Sequence, residues 1–241
     1  QVNGIISGFS SNFIMALNPQ ITKQYATGNI QNSMNLVYAG CRYSFYLLAL
    51  VSIPVIINMD YILKLWLYNV PEYTSEFLKL ALVAALINSI AQPLVTALQA
   101  TGKIKIFQIS ICIVMLFELP LAYLILYFGG KPYMAMYPTI FVVFIGLFVR
   151  FIILRKLVPS YKFKYFTFAI VCKNIILGTI CYIASEVIHS LFNTNFLSLI
   201  ITSFISCIIT SLIIYLFGIS HNERNSINRK FTYLCFKSKQ Q

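Results

Sequence analysis

Charged residues are scarce in this chain, and acidic residues are the scarcest of them. Only 10% of the 241 residues are charged and six are acidic, whereas 59% are hydrophobic and the mean hydropathy is +0.80. Soluble domains contain about a quarter charged residues, so this composition excludes a water-soluble globular domain. The apolar runs fill almost the whole length and leave no room for a soluble domain on a single membrane anchor.

Catalytic patterns are absent as well. The chain has two histidines, His189 and His221, with no HxxxD, HExxH or GxSxG pattern and no glycine-rich phosphate loop. Its six cysteines lie in apolar runs or in the C-terminal tail, and none has CxxC spacing. The sequence therefore predicts a protein that is not an enzyme and that has no catalytic residues, metal site or cofactor.

Long apolar runs dominate the chain. They cover about 35–58, 76–98, 104–128, 133–154, 165–189 and 194–218, and a weaker seventh run covers about 3–18. Each long run is close to the ~20 residues that a helix needs to cross the hydrocarbon core. The runs lack the alternation of period two that barrel strands show. The sequence predicts an all-α polytopic membrane protein with about seven transmembrane helices.

Basic residues occur mainly in every second connection between the runs. One side of the predicted membrane receives Lys23, Lys103, Lys105, Arg150, Arg155, Lys156, Lys162 and Lys164, together with Arg224, Arg229, Lys230, Lys237 and Lys239 of the tail. The opposite side receives Lys64, Lys79 and Lys131. The positive-inside rule then predicts a cytoplasmic C-terminus. The net charge of +12 is explained as an orientation signal, so no nucleic-acid partner is expected.

The connections are short, and three segments are predicted. They are a transmembrane bundle over 1–154, two additional C-terminal transmembrane helices over 155–219, and a basic cytoplasmic tail over 220–241. A short surface helix is predicted from Tyr61 to Tyr68. No signal-peptide cleavage pattern follows Gln1. We therefore expect the C-terminal part of a longer membrane protein; the alternative is a complete protein trimmed only of Met.

Three ionisable residues enter the apolar runs far enough to be candidate site residues. Glu118 is the deepest, and it serves either proton or ion coupling or a hydrogen bond to a neighbouring helix. Arg42 and Lys173 are closer to the cytoplasmic ends of their runs. They either extend their charge to the interface or line the inner mouth of a cavity that meets an anionic headgroup.

A polar stripe follows one face of the run over 76–98. Asn88, Gln92, Thr96 and Gln99 recur at helical spacing, so they share that face. Such a stripe either joins helices through hydrogen bonds or lines an aqueous groove, where amides and hydroxyls suit sugar hydroxyl groups. Pro93 lies in the same run and Pro120 follows Glu118, and interrupted helices of this kind favour a transporter.

Four sequence stretches occur in a characteristic order over about residues 1–130. They are NPQITKQYATGN at 18–29, RYSF at 42–45, ILKLWL at 62–67 followed by VPEY at 70–73, and PLVTALQATGKIK at 93–105. Together they resemble the C-terminal half of bacterial Wzx-like polysaccharide flippases. These proteins are the O-antigen and capsule repeat-unit translocases of the multidrug/oligosaccharidyl-lipid/polysaccharide (MATE-like) superfamily.

The resemblance implies a C-terminal lobe of a MATE-like transporter plus two extra C-terminal helices. The implied function is export, or flipping, of undecaprenyl-diphosphate-linked oligosaccharide repeat units by alternating access, for the biosynthesis of O-antigen (lipopolysaccharide), capsule or exopolysaccharide. Arg42 and Lys173 would attract the diphosphate, and the stripe Asn88, Gln92, Thr96 and Gln99 would touch sugar. Glu118 would serve coupling.

The implied partners are a lipid-linked oligosaccharide, the lipid bilayer and the polysaccharide polymerase and chain-length machinery. The implied location is the bacterial cytoplasmic (inner) membrane, with several crossings. Two alternatives stay open. One is a drug or cation antiporter of the same superfamily, and the other is a membrane enzyme of envelope-sugar assembly, such as a polymerase or acyltransferase.

Overall fold

The structure is a computed structural model that describes residues 2–67, 69–192, 195–219 and 223–224. Within these ranges the regular structure is helical and no strand occurs. The helices are α1 Val2–Ala26, α2 Ile30–Ile57, α3 Met59–Trp66, α4 Thr74–Ala100, α5 Ile104–Leu116, α6 Glu118–Tyr127, α7 Met136–Leu157, α8 Lys173–His189 and α9 Phe196–Ile213. A 3₁₀ turn precedes α7 at Pro132–Ala135, a π-helical segment Tyr165–Cys172 leads into α8, and another, Ile214–Gly218, extends α9.

Six helical stretches in the described ranges are long and apolar enough to cross a membrane. They are Ile30–Ile57, Thr74–Ala100, Ile104–Tyr127, Pro132–Leu157, Tyr165–His189 and Phe196–Gly218. These bounds confirm the six long apolar runs to within five residues at each end. The helix α1 is 25 residues long, but it is more polar, so its crossing stays a prediction. The protein is an all-helical, multi-pass membrane protein.

The helices α1, α2 and α4 meet at a close crossing around Gly40. A methyl group at Gly40 would lie 2.7 Å from Cδ2 of Leu17 on α1 and 3.0 Å from Cγ of Pro93 on α4. Small residues let helix backbones approach closely in membranes, where association depends on packing. Pro93 therefore contributes a packing surface inside α4, and the helix continues through Pro93 without the interruption that the sequence predicted there.

The span Ile104–Tyr127 is interrupted at Phe117, between α5 and α6. Pro120 has no N–H to donate to the carbonyl of Leu116, so the regular helical ladder cannot continue through this turn. The interruption predicted near Pro120 is confirmed. Glu118 is the first residue of α6, immediately after the break.

The two C-terminal helices pack against α2. Asn58, which follows α2, accepts a hydrogen bond from Thr202 of α9 at 3.0 Å and donates one to the Ser203 hydroxyl at 3.3 Å. A methyl group at Gly178 of α8 would lie 2.9 Å from Cζ of Phe45. The helices α8 and α9 therefore share an interface with the preceding bundle. The division at residue 155 stays a prediction.

The connections that carry most of the basic residues meet at one end of the bundle, called here the basic end. One pocket there is lined by the end of α1, the start of α2, the connection after α7 and Glu223. The short helix α3 lies at the opposite end, and it begins two residues before the predicted Tyr61. Its predicted last residue, Tyr68, lies outside the described residues, as does most of the tail over 220–241.

The carboxylate of Asp60 on α3 accepts a hydrogen bond from Nζ of Lys79 at 3.0 Å. Burial opposes ionisation of Asp60. Hydrogen bonds from neighbouring side chains and the charge of Lys79 outweigh this effect, so the pKa of Asp60 is lowered. This ion pair ties α3 to the first turns of α4.

Candidate functional site

Two groups of polar side chains lie among the apolar helices, one at the basic end and one between α4 and α7. At the basic end, Nη2 of Arg42 donates to Oε1 of Glu223 at 2.8 Å. The two side chains are 14% and 29% exposed. The Arg42 guanidinium carbon also lies 5.8 Å from the ring centre of Tyr43. The charge of Arg42 is therefore satisfied largely inside the protein, by a carboxylate and an aromatic face.

Arg42 lies deeper than its apolar run indicated. The helix α2 starts at Ile30, so twelve residues, or ~18 Å of helix, separate its first residue from Arg42. The polar residues at the start of α2, such as Asn32 and Asn35, belong to the helix although they fall outside the apolar run. A long side chain can extend towards the interface from this depth. In this structure, however, the guanidinium meets Glu223.

Lys173, the other predicted cavity cation, lies beside the same pair. It interacts electrostatically with both Arg42 and Glu223. Its Nζ donates to the carbonyl oxygen of Gly218 at 3.1 Å, and the Tyr46 hydroxyl donates to that same oxygen at 3.2 Å. The start of α8, the middle of α2 and the end of the last span therefore converge on one carbonyl. The structure brings the two predicted cations together although 131 residues separate them.

A pocket of about 1,100 Å³ opens beside Arg42 at the basic end. Its described lining contains the cations Lys23, Arg42 and Lys162, and the only acid in that lining is Glu223. Amides of α1 and α2 supply much of the remaining polar surface. This combination of basic groups and amides suits a ligand that has both negative charge and hydroxyl groups.

The second group of polar residues lies in a pocket of about 300 Å³ between α1, α4, α5, α6 and α7. Glu118 lines it and accepts a 2.6 Å hydrogen bond from the Thr139 hydroxyl of α7. Asn88 of the polar stripe lines the same pocket. Glu118 is half-buried, so its carboxyl combines a hydrogen bond to a neighbouring helix with access to a polar cavity. Both interpretations of this residue from the sequence therefore remain compatible with its surroundings.

Arg150 also lines this pocket, and the sequence analysis missed it. It was grouped with the orientation charges, yet it is 7% exposed and lies seven residues before the end of α7. Among the described residues its Nε is buried without a hydrogen-bond partner. A methyl group at Gly146 would lie 3.3 Å from Nη1 of Arg150. The guanidinium therefore folds back towards the middle of α7 and away from its basic end.

A sequence signal for this placement exists. The apolar residues Phe151 to Leu154 continue the span beyond Arg150, and the charges that end the span are Arg155 and Lys156. Arg155 and Lys156 are exposed, as orientation charges should be. An arginine followed by another turn of apolar residues lies inside a span, where a charge is costly and marks a functional position by default.

The polar stripe of α4 does not face a single cavity. Asn88 lines the pocket that contains Glu118, whereas the Thr96 hydroxyl donates to Oδ1 of Asn18 on α1 at 2.6 Å. Gln92 is half-buried and Gln99 is exposed at the end of α4. Thr96 therefore joins α4 to α1. The predicted contact of the stripe with sugar stays a prediction.

An apolar pocket of about 630 Å³ lies between α2, α4, α7 and α8, with Lys79 and Tyr182 among its lining residues.

In the described ranges, no group of three or more His, Cys, Asp and Glu side chains is arranged to hold a metal ion. The cysteines at 41, 112, 172, 181 and 207 are free, and Cys235 lies outside the described residues.

The sequence profile of one family, MatE, matches residues 1–124, which is just over half of the chain. Members of this family are membrane transporters and not enzymes. The match covers α1 to α5 and most of α6, and therefore includes Arg42, the stripe of α4 and Glu118. No curated protein and no solved structure matches the chain.

Proposed function

The chain belongs to the MatE family of membrane transporters, and from that premise we propose that it flips undecaprenyl-diphosphate-linked oligosaccharide repeat units across the bacterial cytoplasmic membrane. The repeat units serve the synthesis of O-antigen, capsule or exopolysaccharide, and the C-terminus faces the cytoplasm. The mechanism is alternating access. The protein presents an anion-binding mouth to the inner leaflet, where lipid-linked sugars are made, and then exposes the bound headgroup to the opposite side.

The observation that carries this proposal is the pair of cations at the basic end. Arg42 and Lys173 come from different helices and interact with one carboxylate, and Arg42 lines a pocket together with Lys23 and Lys162. A diphosphate presents several oxygens and more than one negative charge, which suits a guanidinium and an ammonium group held side by side. The amides around the same pocket provide donors and acceptors for the first sugar.

The second candidate, a drug or cation antiporter, is supported by Glu118 in the 300 Å³ pocket. Arg150 lines the same pocket, and its fixed positive charge disfavours an organic cation there. The flippase is therefore the function that the charges support best. In the flippase, Glu118 serves coupling to an ion or proton gradient.

The test is complementation of a flippase-null strain that carries the sugar pathway belonging to this protein. The full-length protein should restore surface polymer, and Arg42→Gln or Lys173→Gln should reduce it while lipid-linked repeat units accumulate. The matched control is Lys131→Gln, an exposed lysine between α6 and α7. Failure of the unaltered protein to restore polymer, or full activity of both cavity variants, contradicts the proposal.

A further inference from the structure

We propose that Glu223 is an internal ligand of the anion site, which an incoming diphosphate must displace. This inference rests on the proposed function, because it assigns Arg42 and Lys173 to the anionic headgroup. It adds a residue that follows the last span to the site. The carboxylate of Glu223 occupies the position that a phosphate oxygen takes when substrate binds.

The first support is the way Glu223 is held. The next residue, Arg224, donates from Nη2 to the carbonyl oxygens of Tyr215 and Leu216, and its guanidinium carbon lies 5.0 Å from the ring centre of Tyr215. A cation that binds the last carbonyls of a helix stabilises that helix end. Arg224 thereby anchors residues 223–224 to the last span, and this contact holds Glu223 against Arg42.

The second support is the charge balance of the pocket. Its described lining contains three cations and one acid, so the pocket attracts anions and Glu223 neutralises part of that charge. A buried or half-buried arginine without a counter-charge is costly in a membrane protein. When no substrate is bound, Glu223 reduces this cost. The same contact makes Glu223 a competitor for any ligand with negatively charged oxygens.

The third support is an unused hydrogen-bond donor. The carboxylate of Glu223 binds Nη2 of Arg42, whereas Nε of Arg42 is buried and has no partner among the described residues. A guanidinium can offer Nε and Nη2 together to two oxygens of one phosphate group. A diphosphate therefore gains a donor that Glu223 leaves unused, and it adds a second interaction with Lys173. This difference lets a diphosphate displace Glu223 where a monovalent anion does not.

The experiment measures binding to the full-length protein purified in detergent, by isothermal titration calorimetry. Farnesyl diphosphate and inorganic pyrophosphate are the two probes, because they separate a lipid-borne headgroup from the free anion. Glu223→Gln keeps the size of the side chain and removes its charge. Both probes should bind this variant about fivefold more tightly, as expected for the loss of a competing half-buried ion pair.

The matched control is Glu72→Gln, an exposed acid before α4, which should leave the affinities unchanged. In an Arg42→Gln background, Glu223→Gln should have a smaller effect, because most of the competition acts through Arg42 and only the electrostatic interaction with Lys173 remains. Unchanged or weaker binding by Glu223→Gln alone overturns the inference while the anion site stands. Unchanged binding by Arg42→Gln and Lys173→Gln overturns the anion site itself and, with it, the proposed function.

Discussion

The hydroxyl of Thr139 donates a 2.6 Å hydrogen bond to the carboxyl group of Glu118, which joins α7 to the first turn of α6. Glu118 follows the break at Phe117, so this bond fixes the side chain at the point where the span lacks a regular helical ladder. The contact also explains how a carboxyl group is tolerated this deep in an apolar run. Removing the hydroxyl group of Thr139 therefore tests how much this hydrogen bond stabilises the fold.

Thr139→Val should lower the free energy of unfolding by about 1–2 kcal/mol, because the carboxyl group loses its partner while the side-chain volume is kept. Thr139→Ser retains the hydroxyl group and is the control. Thermal unfolding in detergent measures both variants. An equal loss in both would mean that the methyl group of Thr139, and not its hydrogen bond, stabilises this contact.

Arg150→Gln should reduce transport at least about tenfold in the complementation assay, while its effect on stability should be neutral or favourable. Nε of this buried guanidinium has no hydrogen-bond partner among the described residues, and such a buried charge costs stability unless an anion or a transport step uses it. Arg155→Gln on the same helix is the matched control, because Arg155 is exposed. Equal transport by the two variants would make Arg150 an orientation charge only.

Gly40→Ala should destabilise the protein by about 1–3 kcal/mol, because the added methyl group overlaps Leu17 and touches Pro93. Adding Leu17→Ala to Gly40→Ala should recover part of the lost stability, because it removes the side-chain atoms that the new methyl group overlaps. Gly8→Ala is the control, since a methyl group there meets nothing within 4 Å. If thermal unfolding showed an equal loss of stability in Gly8→Ala and Gly40→Ala, the close crossing of α1, α2 and α4 would be contradicted.

The Asp60–Lys79 ion pair predicts a small dependence of stability on pH. The pKa of Asp60 is lowered in the folded state, so the pair stabilises the fold above the unfolded pKa of about 4, and this contribution is lost as pH falls through the folded value. The Asp60 side chain is 65% exposed, so the contribution is below ~1 kcal/mol and is weakened by salt. The free energy of unfolding of Asp60→Asn should lie below that of the unaltered protein at pH 7, and this difference should shrink as the pH is lowered through the folded pKa of Asp60.

The helical spans could be predicted from hydropathy because a span needs a fixed length of apolar sequence, and each long run became a helical span, although the one over 104–128 is broken at Phe117. Their neighbours could not be predicted in the same way. Thr96 faces Asn18, and Arg42 faces Glu223 from 181 positions away, because helix packing and rotation decide these contacts. Arg150 was misjudged for the same reason. The end of a run indicates depth along the membrane normal and does not indicate which side of the helix is buried.

The carbonyl oxygen of Gly218 accepts hydrogen bonds from Tyr46 and Lys173 at the end of the last span. A methyl group at Gly218 would lie within 3.2 Å of the Tyr46 ring, so this close approach favours glycine. The two donors come from α2 and α8, and they fix the register of the last span along its own axis. A slip by one helical turn would shift that span by ~5.4 Å and break both bonds at once. A slide of the last span along its axis would therefore cost both hydrogen bonds, whereas a tilt about this point would keep them.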